Sequence, residues 1–226
     1  AHQSERLCQL IEAAGGQPVR LPVIEIVESA DKSALLDSQA RLDELDIAIF
    51  ISANAVEKSL PTLLAQRSLP PQLQLIAVGK RTAETLKAWK LTALCPAPPF
   101  NSEALLAMPQ MQPTAVPGKQ IVIFRGEGGR ELLAETLRQR GAIVHYVNVY
   151  QRVQPPTPAW IADTQIDILT ASSVEGLQNL FAMLDEQAWL RQTPLVVMST
   201  RIRSEAQKLG VSAPILVAPT ASDDGL

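Results

Sequence analysis

The chain has 226 residues, of which 46% are hydrophobic and 19% charged. That is a globular composition, with enough apolar material for one large core or two modest ones. A net charge of −3 and only 4% aromatic residues exclude a general nucleic-acid binder and a stacking platform for single strands. Two cysteines, Cys8 and Cys95, and two histidines, His2 and His145, cannot alone build a disulfide framework, a four-ligand zinc site or a His-rich metal site. No apolar stretch approaches the roughly 20 residues of a membrane helix. We expect no nucleic-acid or membrane partner, and a reduced, cytoplasmic enzyme or binding protein.

In chain order, Ser4–Ala14 reads as a helix closed by Gly15-Gly16, with a solvated His2 before it and a strand over Val19–Ile26 after it. Pro22 to Ser33 is a candidate crossing between domains. Strands are expected at Asp46–Ile51, Leu75–Val78, Gln120–Phe124, Ile143–Val149, Asp167–Thr170 and Leu195–Met198. Helices are expected at Ala55–Gln66, Arg81–Trp89, Arg130–Arg140, Val174–Leu184 and Arg201–Leu209, with Ser102 as N-cap of a further one. Gly141 and Gly210 stand where helices end on a left-handed glycine. The strands are continuously apolar, the pattern of parallel sheet covered on both faces by helices, so the fold class is doubly wound α/β. His145 then reads as a strand residue, and Cys8 and Cys95 as buried fillers. Pro96–Pro99 reads as a loop, and Gln154–Pro158 as a linker.

The chain also repeats itself. Ile51–Glu57 aligns with Leu169–Glu175 at an offset of 118, and Ala77–Arg81 with Val197–Arg201 at 120; Asn101-Ser102-Glu103 falls on Ala221-Ser222-Asp223. Two similar lobes are expected. The register of the repeat also predicts a further strand before the first helix and a further helix after the last residue.

In doubly wound sheets ligands bind outside the carboxyl ends of the strands. The turns there contain Ser52, Ala53 and Asn54; Thr82; Arg125, Gly126, Gly129 and Arg130; Ser172 and Ser173; and Ser199, Arg201 and Arg203. Each Ser or Asn reads singly as a helix cap. Together, hydroxyls, helix N-terminal amides and arginines suit an anion. Arg125–Arg130 lacks both the dinucleotide spacing and the P-loop Lys-Ser/Thr. There is no Gly-x-Ser-x-Gly elbow. Tyr150, ending a strand beside Arg152, is the candidate proton donor; a packed strand-end tyrosine is the competing reading.

The succession Ser-Ala-Asn-Ala-Val (52–56), Val-Gly-Lys-Arg-Thr-Ala (78–83), Arg-Gly-Glu-Gly-Gly-Arg-Glu-Leu-Leu (125–133), Leu-Arg-Gln-Arg-Gly-Ala-x-Val (137–144), Val-Tyr-Gln-Arg (149–152) and Thr-Ala-Ser-Ser-Val (170–174) resembles the uroporphyrinogen-III synthase family. The resemblance implies two flavodoxin-like lobes: residues 1–26 plus 155–226, and 31–148. Residues 27–30 and 149–154 would form a two-stranded linker, with the active site in the cleft. It implies cyclisation of hydroxymethylbilane, a tetrapyrrole precursor supplied by hydroxymethylbilane synthase, with no metal or organic cofactor. The lack of an obvious apolar patch in the sequence points to a monomer. Tyr150 matches the family's tyrosine, and Ser52, Thr82 and Ser172 match positions near the cleft. The competing function is a non-catalytic two-lobed binder of an anionic small molecule.

Overall fold

The computed structural model describes residues 4–226; His2 lies outside the described residues. In chain order the elements are α1 (Glu5–Ala13), β1 (Glu25–Glu28), α2 (Ser33–Ala40), β2 (Ile47–Phe50), α3 (Ala53–Leu63), β3 (Gln74–Ala77), α4 (Lys80–Ala88) and α5 (Ser102–Leu106). There follow β4 (Gln120–Gly126), α6 (Leu132–Gln139), β5 (Ile143–Val153), β6 (Leu169–Ala171), α7 (Val174–Leu184), β7 (Leu195–Val197), α8 (Thr200–Lys208) and β8 (Ile215–Val217). Chain contacts divide them into two compact units, Ala1–Glu25 with Val153–Leu226, and Ile26–Arg152.

In the continuous unit the sheet order is β1-β5-β4-β2-β3, and β2 pairs in parallel with both β3 and β4, as β4 does with β5. Helices cover both faces. Leu35, Val56, Leu60 and Leu86 bring α2, α3 and α4 onto one face, with Phe50 and Phe124. Leu105, Leu133 and Leu137 bring α5 and α6 onto the other, with Ile49, Ile76 and Ile123. The register sets Phe50 opposite Phe124, and their rings stack at 5.0 Å. Each such buried side chain contributes about 1.5–3 kcal/mol over exposure, which makes β2 and β4 the anchor of this unit.

The discontinuous unit carries the parallel sheet β6-β7-β8. Its core joins Leu177, Phe181, Leu184 and Leu195 to Ile202 and Ala206, with Leu21 and Val23 packed against them. Helix α1 is tied to the end of the chain by an ion pair between Arg6 and Asp224 at 2.5 Å.

Several expectations are corrected. The strand expected over Val19–Ile26 forms only at its end, as Glu25–Glu28: Pro18 and Pro22 cannot donate to a ladder, and Asn179 Nδ2 donates to the Val23 carbonyl at 2.8 Å. Helix α2 and strand β8 were not anticipated. The N-cap of α5 is Asn101, whose side-chain oxygen accepts from Ala104 N at 2.8 Å, not Ser102. Full burial holds for β2 and β7 but not for β5, where Ile143 and His145 are exposed. Cys8 is buried, whereas Cys95 is only partly so. The repeat is real in the caps but shifted. Ser52 caps α3 and Ser173 caps α7, 121 positions on, Gly79 and Ser199 are 120 apart, and Asn101 and Ser222 are 121 apart.

Candidate active site

In the continuous unit the chain runs from β2 outward to β3, then crosses back to β4 on the other side of β2. A crevice opens outside the carboxyl ends of strands where the winding reverses in this way. The residues at those ends are Ser52, after β2, and Arg125 and Gly126, closing β4.

Tyr150 reaches this place through an irregularity in β5. Arg125 is opposite Asn148, but Gly126 is opposite Tyr150, so Val149 is an extra residue on β5. A bulge of this kind re-aims side chains, and here Val149 and Tyr150 enter the same core cluster. Tyr150 is 4% exposed, and its hydroxyl stands 3.1 Å from Ser52 Oγ. Ser52 Oγ also accepts from Ala55 N at 3.2 Å, capping α3. Gly126 is the wall behind the ring: a Cβ there would lie 2.5 Å from Tyr150 Cε2. The strand does not end at Tyr150, as expected, but continues to Val153. Glu127 holds this stretch of it, its N–H donating to the Tyr150 carbonyl at 2.9 Å and its carboxylate accepting from Gln151 Nε2 at 2.7 Å and Ser29 Oγ at 3.2 Å.

A concavity of about 230 Å³ borders Tyr150, Arg125, Gly126, Gly129, Arg130 and Tyr146. Arg125 does not present the open fork expected of it. Its side chain is 8% exposed, Nη1 donates to Glu131 at 3.0 Å, and its guanidinium lies 4.4 Å from the centroid of the Tyr146 ring. The cation is spent on the fold, because a buried guanidinium requires partners. The following loop closes over it, with Gly129 at φ +99°, where a Cβ would lie 3.0 Å from Arg125 Nη2. Arg130 is exposed and paired with Glu103 of α5. Burial, reinforced by the Glu131 charge, pushes the Tyr146 hydroxyl above its ordinary pKa.

Of the other expected residues in this unit, Ala53 and Asn54 open α3. Thr82 is not in the turn but in the first turn of α4, and is buried. In the discontinuous unit Ser173 Oγ accepts from Gly176 N at 3.0 Å, and Ser199 Oγ from Ile202 N at 3.4 Å. Ser172, Arg201 and Arg203 are exposed. Tyr146, Glu127 and Glu131 escaped the sequence reading. Tyr146 offered one signal, its place four residues before Tyr150 in the same strand.

Parallel sheets wrapped by helices, with hydroxyls and amides at the strand ends, define an α/β protein whose strand ends suit a small anionic ligand. Residues 5–226 match the family model described as Uroporphyrinogen-III synthase HemD. The chain is 34% identical over 232 aligned positions to uroporphyrinogen-III synthase of Salmonella typhimurium, spanning 98% of this chain and 93% of that protein. It is 32% identical over 235 positions to the Escherichia coli synthase, with the same coverage. The solved uroporphyrinogen-III synthetase of Helicobacter pylori shares the fold, with a TM-score of 0.61 at 15% identity over 92% of each chain. This chain belongs to the uroporphyrinogen-III synthase family.

Proposed function

We infer that the chain converts linear hydroxymethylbilane to uroporphyrinogen III, a step of tetrapyrrole and heme synthesis. The observation that carries this is the family match along residues 5–226, and no finding supports the alternative of a non-catalytic binder. The reaction is a lyase step. The hydroxyl of the terminal hydroxymethyl group takes up a proton and leaves as water, and the methylene carbon stays on its ring as an azafulvene cation. The far ring attacks through its substituted carbon, forming a spiro intermediate that fragments and recloses with that ring inverted. Closure without inversion needs no protein, so the main task is to hold a flexible octacarboxylate in one geometry.

Tyr150 is the proposed donor of the proton to the leaving hydroxyl. Its hydroxyl, held beside Ser52 at the reversal point of the sheet, supports that role. Carboxylates are assigned to the N-terminal amides and side chains at Ala53, Asn54, Gly126, Gly129 and Arg130, and in the other unit to Ser172, Ser173, Ser199, Arg201 and Arg203. Arg125 is a wall of the concavity, not a grip.

Each unit is read as flavodoxin-like. Numbered from β2, the order β3-β2-β4-β5-β1 is 2-1-3-4-5, which supports this for the continuous unit. The two crossings at 27–30 and 149–154 are read as the linker. We take the protein to be a cytoplasmic monomer receiving its substrate from hydroxymethylbilane synthase. No helix among the described residues is long and apolar enough to cross a membrane. The test is to supply hydroxymethylbilane and resolve the oxidised porphyrin isomers. The type III isomer is expected, and type I alone would overturn the assignment.

A further inference from the structure

We propose that Ser52 acts on Tyr150 and not on substrate, as a positioning residue that leaves the tyrosine proton free for transfer. The proposal rests on the reading of Tyr150 as proton donor.

The argument begins with the hydrogens. A serine oxygen has one proton and two lone pairs. One lone pair of Ser52 Oγ is occupied by Ala55 N–H at 3.2 Å, and Tyr150 Oη lies 3.1 Å away on another side. If Tyr150 donated to Ser52, its proton would be engaged in the resting protein. If Ser52 donates, the hydrogens run one way: Ala55 N–H to Ser52 Oγ–H to Tyr150 Oη–H. This direction starts from the positive N-terminus of the 11-residue helix α3, where oriented amides favour developing negative charge on the phenol oxygen. Either hydroxyl could donate on distance alone; the helix end favours Ser52 as the donor.

The second hold is steric. The extra residue Val149 turns Tyr150 toward β4, and the ring lies flush against Gly126, where a Cβ would be 2.5 Å from Cε2 and 3.0 Å from Oη. A ring fixed by backbone on one side and by Ser52 at its tip keeps one hydroxyl position. Freed from Ser52, the hydroxyl loses both its fixed position and its hydrogen-bond donor. A Ser52 that bound substrate carboxylate directly would act independently of Tyr150.

A double-mutant cycle on the full chain separates these cases. Expected are a loss of kcat of about tenfold or more for Tyr150→Phe and of about tenfold for Ser52→Ala, with KM within about twofold. Ser52→Thr, which keeps the hydroxyl, retains most of the activity. In the Tyr150→Phe background, Ser52→Ala changes kcat by less than about twofold. Ser52→Gly, which caps helices almost as well as serine, reproduces the kinetic loss should the alanine variant fail to fold. Equal losses in both backgrounds would overturn the positioning role while leaving Tyr150 in place. A fully active Tyr150→Phe would instead overturn the proton-donor reading, and the positioning role with it.

Discussion

Gly126 is held to glycine by the tyrosine ring packed on it. The 2.5 Å approach described for its missing Cβ falls on a ring locked from the other side, so Gly126→Ala forces Tyr150 out of place. We expect a stability cost of about 1–3 kcal/mol by denaturant titration and a loss of kcat no smaller than that of Tyr150→Phe. Asp46 makes a second prediction. Burial alone would raise its carboxyl pKa, but the hydrogen bonds from Lys119 Nζ at 2.6 Å and Gln120 N at 2.9 Å outweigh it and hold the group below its ordinary value. A carboxyl lowered in the folded state stabilises above its unfolded pKa, near 3.9, and loses that contribution as pH falls through the native value. Asp46→Asn should therefore cost about 0.5–1 kcal/mol at pH 7, the pair being partly exposed. The gap to the parent should begin to narrow as pH falls below about 4 and close once it passes the lowered native value, read from urea midpoints across pH.

For whole elements, the caps carry the testable content. Ser173 accepts from Gly176 N and opens the 11 residues of α7, so Ser173→Ala should cost about 1 kcal/mol, seen as a lower melting temperature. The same elements show what could be read beforehand. Strand β2 and helix α7 were legible because an unbroken apolar run and a 3.6-residue period admit one interpretation each. Helix α2 was not, since it buries little beyond Leu35 and its cap position, Lys32, makes no side-chain cap bond. Strand β8 was hidden because three residues with Leu216 60% exposed carry no burial pattern. In the site, the turns were legible from residue type. The contact between Ser52 and Tyr150 was not, because it depends on an extra residue in β5, and a bulge leaves no mark on composition or period. The burial of Arg125 was equally out of reach, since its partners Tyr146 and Glu131 lie in a different strand and in the loop before α6.

At the scale of the molecule, the units keep separate cores: Ile49 and Ile123 belong to one, Leu177 and Leu195 to the other. Ile49→Ala, which empties a site of 0% exposure, should cost about 2–5 kcal/mol in the continuous unit. Hydrogen exchange should show the loss in amides of β2 and β4, with those of β7 changed far less. The discontinuity of the other unit also sets an order in time. Ile26–Arg152 is one uninterrupted stretch and can fold as soon as it leaves the ribosome. Helix α1 is synthesised before that stretch, yet Asp224, the partner of its Arg6, lies 218 positions downstream. At about 5–20 residues per second, its amphipathic face waits roughly 10–40 s for the residues that complete its surroundings. Helix α1, made before the continuous unit, thus docks after it.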